Sequence, residues 1–416
     1  MSMSVTRTLT ATHGLTRLLL LVAGGLVVAA PLITQYYWPQ SAFLDVTKHP
    51  IGRDFINVWG GPQIAFGHGL ETLFDPKAYY AALKQVYGVD IAYHNWGYPL
   101  FVLPLYWLFA QMPYLAALAV WTLGFLGTYI WIVTRTVEPG KRLLVAGLLV
   151  VAPSSIINII GGQNGFLTAT LWLGGILWLD RRPILAGILI GLLIYKPHMG
   201  LCLPFVLIAL GAWRAFLAAA ITSILVFASS LFLVDVSDWM TYFEVIAPYQ
   251  ANLLVDFKGF YTYMMVSVAA GGRSAGLSFE TAFAIQAIVS LTVLVTTIAT
   301  VRRTTDRCAR AFVIVAATPL ITPYAFNYDL AALTAVVVWN LIGRLKTTNE
   351  QAAPIIHVLV WMIPLVTMYP IPHHAALAPI TLLIAFAYIV HSIWSPFGGE
   401  ALARPIPNNA VSEGAS

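Results

Sequence analysis

Apolar residues run along this chain in continuous blocks, separated by short polar breaks. Lipid leaves only helices or closed barrels able to satisfy the backbone, and continuous rather than alternating runs select helices. The blocks predict spans at about 16–38, 98–111, 113–134, 143–160, 165–179, 183–195, 199–211, 214–234, 282–301, 309–321, 328–343, 355–370 and 375–394. Several fall short of the roughly 20 residues of a full crossing. Broken or tilted helices are therefore expected, above all at Tyr195, Lys196, Pro197 and His198, where proline removes a backbone donor.

The pattern breaks most at 39–97, the longest polar region, which holds Asp54, Asp75, Lys77, Lys84, Asp90 and His94. Two pieces of it, 54–67 and 76–87, have the length and composition of short amphipathic helices lying at the interface, with Pro76 suited to a first turn. An ordered polar loop this early in a membrane chain is a functional feature rather than a linker.

Composition agrees with the pattern: 416 residues, 59% hydrophobic and only 9% charged, describe an integral membrane protein. The net charge of +5 is scattered between apolar runs, as membrane topology requires, and gives no nucleic-acid surface. Cys202 and Cys308 sit in apolar segments without metal-ligand spacing and read as core residues. Arg7 and Arg17 ahead of a long apolar run predict a retained first helix with a cytoplasmic N-terminus, and the chain from 395 to 416 reads as a disordered tail.

The positive-inside rule assigns Arg135 to Arg142, Asp180 to Arg182, Trp213 and Arg214, Arg302 to Arg310, and Arg344 to Lys346 to the cytoplasm. Alternation then puts 161–165, 196–198, 235–280, 324–329 and 372–374 on the other face, together with Asp54. One count stays open. An odd number of crossings is needed between Asp54 and Arg135, so either 98–111 enters without spanning or the 135–142 loop breaks the rule.

Candidate chemistry follows from that convergence. Asp54, at the membrane edge, is either a solvated acid paired with Arg53 or Lys48, or a carboxylate placed to take a proton from an attacking hydroxyl. Lys196 and His198, with Arg273 as a weaker candidate, are either interfacial side chains or groups for a departing phosphate. Gln163 and Asn164, in a glycine-flanked turn, could bind sugar hydroxyls, as could the aromatic and polar run Tyr324, Asn327, Tyr328 and Asp329. His373 and His374 are weaker candidates for phosphate contact, and Gly187 with Gly191 reads as a helix-packing motif.

In order, Asp54 and Phe55, Leu73 to Pro76 with Tyr79, Tyr98 to Leu100 with Pro104, Gly162 to Asn164, Ala186 to Gly191, Lys196 and Pro197, and Pro323 to Asp329 resemble glycosyltransferase family 87 over about 50–330. The resemblance implies an all-α polytopic membrane protein of the C-type glycosyltransferase fold, with 11–13 transmembrane helices in one domain over 1–394. It implies inverting transfer of a hexose, usually mannose, from a polyprenyl-phosphate donor to a glycolipid or polysaccharide acceptor on the extracytoplasmic face of the plasma membrane. Asp54 would be the base, with no cofactor or metal demanded and no nucleic-acid partner. Two departures stand out: Leu100 replaces a second proline after Tyr98, and Asn327, Tyr328 and Asp329 stand where relatives offer a histidine. The competing class is a transporter or flippase for a lipid-linked sugar, which predicts paired broken segments in two repeats.

Overall fold

A computed structural model describes residues 19–41, 43–259, 261–344, 352–369 and 376–395. Arg7, Arg17, Lys346, His373, His374 and the 396–416 tail lie outside them. The described chain is helical, with three isolated β-bridges. It opens with α1 (Leu19–Tyr37). The first polar region then supplies α2 (Phe55–Gly67), α3 (Glu71–Phe74) and α4 (Pro76–Tyr87). Asp75 caps α4 by accepting from the backbone of Lys77 and Ala78, Pro76 fills its first turn, and Gly88 at φ 76 closes it. Helix α2 lacks the exposed polar face expected of it: Phe55 to Val58, Gly60 to Pro62, Ile64 and Ala65 are buried. Its small residues invite close packing, since a Cβ on Gly61 would lie 2.1 Å from the Trp96 ring.

Helix α5 (Leu100–Ala110) precedes α6 (Tyr114–Thr134). The segment before α5 faces the same space as Asp54. At its far end, Trp59 Nε1 donates to Met112 O at 2.8 Å and the Tyr114 hydroxyl donates to Ile51 O at 2.6 Å. Both ends of α5 thus stay with the 51–59 segment, and α5 is a short apolar helix whereas α6 is long and apolar enough to cross a membrane.

Next come α7 (Arg142–Val150) and α8 (Pro153–Gly161), an apolar pair bent by 56° at its break, where Pro153 cannot continue the ladder. Then follow α9 (Gly165–Leu177), α10 (Pro183–Leu192), α11 (Leu203–Ala209) and α12 (Trp213–Ser230). A Cβ on Gly187 or Gly191 would meet Ala215 O at 2.3 Å or Ala219 O at 2.5 Å, so the two glycines seat α10 directly on α12. The second polar region folds as α13 (Val236–Thr241), α14 (Ala247–Asp256), α15 (Tyr261–Met264) and α16 (Val268–Ser274). The chain continues through α17 (Phe279–Val301), α18 (Arg307–Ile321), α19 (Ala331–Arg344), α20 (Ala352–Val366) and α21 (Leu377–Trp394). Among the described residues five helices are long and apolar enough to cross a membrane, or six with the bent pair, and six more apolar helices are shorter.

The core runs along α18, buried continuously from Ala311 to Ile321 and packed by α9, α17, α19 and α21. At one end of the bundle Asp180 pairs with Arg307 at 3.1 Å and Arg310 at 3.6 Å, joining two of the basic clusters. The opposite ends of α8, α9, α10 and α18 run into the polar turns predicted to converge, and there they stop short. A 13-residue α9 reaches about 20 Å, against a hydrocarbon thickness of about 30 Å. The missing turns are replaced by a cavity.

Candidate active site

The chain turns sharply before α2, with Gly52 at φ 78 and Arg53 at φ 35. A side chain at Gly52 would strike Leu118, 2.7 Å away on the second turn of α6. The turn sends Arg53 and Asp54 in different directions. Arg53 Nε donates to Asp45 Oδ2 at 3.0 Å, its Nη2 reaches Thr47 Oγ1 at 3.1 Å and Tyr36 O, and the guanidinium lies 3.9 Å from the centre of the Tyr37 ring. Arg53 is thus committed to Asp45, and the pairing of Arg53 with Asp54 that the sequence left open is not formed.

Asp54 meets the α8–α9 turn instead. Gln163 Nε2 donates to Asp54 Oδ2 at 2.6 Å, leaving Oδ1 without a partner among the described residues. The contact depends on glycine. Gly162 adopts φ 56, and a Cβ there would lie 2.4 Å from Gly52 O, while one on Gly165 would lie 2.2 Å from Tyr328 O. Trp121 Nε1 fixes the turn by donating to Gln163 O at 3.2 Å. Trp121 is seven residues into α6, so the carboxylate sits about 10 Å along that helix from its start.

Lys196 occupies the break between α10 and α11, buried, where Pro197 interrupts the ladder. It ion-pairs with Asp329, donates to Asn164 Oδ1 at 3.0 Å and lies 4.5 Å from the centre of the Tyr328 ring. Asp329 Oδ2 also accepts from Phe326 N at 3.2 Å. One cation therefore ties together the turns at 164, 196 and 326–329. His198 lies beside it against Tyr324, with rings 5.4 Å apart and a buried Nε2 lacking a partner among the described residues.

These groups line a single cavity of about 740 Å³. Asp54, Gln163, Asn164, Lys196, His198, Tyr324 and Tyr328 are all on its wall. Three expected site residues are placed otherwise. Asn327 turns away, its Nδ2 donating at 3.1 Å to Pro364 O and to Thr367 Oγ1, and so anchors α20. Asp329 stands behind Lys196 as its counter-ion. Arg273 donates to Leu277 O at 2.9 Å and Val255 O at 3.0 Å, binding the end of α14 to α16. Its two terminal nitrogens thus serve the Leu277 and Val255 carbonyls, while its buried Nε has no partner among the described residues.

The sequence reading passed over part of the wall. His49, His94, Asn57 and Tyr98 contribute from the first polar region, and Tyr242, Tyr249, Lys258 and Tyr261 from the second. Tyr93 from the first region and Tyr249 from the second both face the cavity. Burial, with Arg53 and His94 nearby, pushes His49 down to about 4, and burial likewise lowers His94. Both imidazoles are neutral at neutral pH.

A recessed cavity with a carboxylate, amides beside it and a cation on the same wall, inside a helical membrane bundle, is a polar binding site of the kind that a membrane enzyme or a transporter carries. The model of glycosyltransferase family 87 matches residues 96–323, more than half of the 416-residue chain, and the chain belongs to that family. Membership decides for a membrane glycosyltransferase over a transporter. No curated protein and no solved structure gives a significant match. The matched segment begins at Trp96, so Asp54 enters the site by geometry and not through the family match.

Proposed function

We propose that the protein transfers a hexose, mannose in the first instance, from a polyprenyl-phosphate donor to a glycolipid or polysaccharide acceptor outside the cytoplasm, by inverting single displacement. The observation that carries this reading is the state of Asp54: one oxygen is held by Gln163 and the other is unpartnered on the wall of the cavity that also holds Lys196 and His198.

The acceptor hydroxyl gives its proton to Asp54 Oδ1 as its oxygen bonds the anomeric carbon. The bond from that carbon to the phosphate oxygen breaks on the opposite side, and the electron pair leaves with the lipid phosphate. Two of the three Lys196 N–H groups already serve Asp329 and Asn164, so the third meets the phosphate, with His198 as a further donor in its Nε2–H tautomer. Gln163 keeps the base pointed at the acceptor. A recessed reaction centre suits a donor whose chain stays in lipid, and the basic clusters on the opposite face favour an extracytoplasmic site.

The test is Asp54→Asn in purified protein, given radiolabelled polyprenyl-phosphate mannose and a lipid-linked sugar acceptor. General-base catalysis contributes about 10²–10⁴-fold, so turnover falls by at least about 100-fold with the fold intact. Near-normal turnover in the folded variant overturns the assignment.

A further inference from the structure

Two histidines stand on the cavity wall with no task in the chemistry above. His94 is buried, and its Nδ1 lies 2.8 Å from Ala92 O. A carbonyl only accepts, so Nδ1 carries the proton and Nε2 is left with a bare lone pair. His49 Nδ1 lies 2.7 Å from Thr47 Oγ1, and that hydroxyl gives its own hydrogen to Asp45 Oδ1 at 2.6 Å. His49 Nδ1 is therefore also the donor, and its Nε2 is also bare. No described residue hydrogen-bonds either Nε2, and the rings meet edge to face at 5.7 Å.

Asn57 completes the wall. It follows Asp54 by three residues, on the same face of α2. The Tyr79 hydroxyl donates to its Oδ1 at 2.7 Å, leaving the Nδ2 hydrogens for the cavity. The charged groups around the pair are Asp54, Arg53 and Asp45. Arg53 and Asp45 neutralise one another. The wall beside the base thus offers two fixed acceptors and one amide donor, held by hydrogen bonds that the protein supplies itself.

We propose that His94, with His49 and Asn57, is the acceptor subsite: it binds an uncharged sugar ring, neighbouring hydroxyls donating to the two Nε2 atoms and accepting from Asn57, so that a further hydroxyl faces Asp54. The proposal rests on the transferase reading and names the half of the cavity that reading leaves unassigned. His94 is a positioning and specificity residue, because a site built to receive O–H groups discriminates steeply against analogues that lack them.

The test uses full-length protein in detergent and a panel of octyl mannoside, glucoside and galactoside. Calorimetric binding is measured first, without donor. The wild type binds at least one octyl glycoside, His94→Ala weakens that binding about tenfold or more, and His94→Gln, whose Oε1 replaces the bare nitrogen, recovers most of it. Binding of none by the wild type, equal binding by His94→Ala, or Ala and Gln variants equally impaired overturns the proposal. His49→Ala gives the same readings should His94→Ala not fold. With radiolabelled polyprenyl-phosphate mannose added, the KM for the bound glycoside rises in His94→Ala while the KM for the donor holds. A rise in donor KM alone overturns the subsite. Glycoside binding without transfer or donor hydrolysis in the wild type refutes the transferase reading and leaves the binding result standing.

Discussion

Replacing Lys196 by methionine separates what this cation holds together from what it does. Lys196 and Asp329 are 6% and 4% exposed, and the Asp329 carboxylate keeps only the Phe326 N–H once the ammonium is gone. Breaking a buried pair by removing one partner costs about 3–5 kcal/mol, because the remaining charge is uncompensated. Lys196→Met also frees the Asn164 amide that the lysine holds at 3.0 Å, so the turns at 164, 196 and 326–329 lose their common tie. Removing both charges in Lys196→Met/Asp329→Asn takes away the uncompensated ion and restores most of the loss. Thermal unfolding of the purified single and double variants measures this, and a Lys196→Met protein as stable as the wild type, or a double variant no better than the single, refutes the reasoning. Donor turnover supplies the second readout. The double variant is folded but lacks the Lys196 N–H for the leaving phosphate, so its kcat falls well below the wild-type value. Wild-type turnover in that variant would make Lys196 a clamp alone and remove it from the chemistry.

Three further outcomes are expected. Gln163→Ala removes a charge-assisted hydrogen bond worth about 1.5–3 kcal/mol, so kcat drops about 10–150-fold with donor KM unchanged, checked by steady-state kinetics. Gly162→Ala places a methyl 2.4 Å from Gly52 O at φ 56 and loses both stability and activity, whereas Gly127→Ala, with open space around it, leaves the melting temperature unchanged. The third concerns His49, held by burial, Arg53 and His94 at about 4, below its unfolded value near 6.5. The folded state therefore resists a proton that the unfolded state takes up. The stabilisation is complete above about pH 6.5 and is lost as pH falls towards 4. Melting curves of wild type and His49→Gln over that window show the wild type falling relative to the variant.

Much of this site was legible in the residues because polar side chains are costly in lipid. Apolar runs located the helices, and basic clusters sorted the breaks by side, so Asp54, Gln163, Asn164, Lys196, His198, Tyr324 and Tyr328 could be expected together, and the structure gathers them on one wall. Three expected site residues are held elsewhere for one reason. Asn327, Asp329 and Arg273 lie in short helical segments next to turns, where open carbonyls and N–H groups compete for every polar side chain. A polar residue next to a site is therefore as readily taken by the scaffold as by a ligand, and periodicity cannot tell which. His49 and His94 escaped for the converse reason. Their protons are bound by local contacts, at Thr47 and Ala92, and only the fold shows that the other nitrogen of each is left over.

The site also shows why the segment that carries the base lies apart from the helices that carry the rest. A carboxylate inside a continuous span would need every backbone group around it satisfied in lipid, with no room for a sugar. Here α8, α9, α10 and α18 end early, and the space above them is enclosed by the 39–97 and 242–264 segments. Asp54 is then brought in by backbone approach, Gly52 against Gly162, rather than by a long side chain reaching across. Two backbones this close cannot move together without colliding or apart without opening a gap, so the Gly52–Gly162 contact restrains the base. A proton acceptor in a single displacement needs that fixity, since a misplacement of about 1 Å can cost 10²-fold in rate.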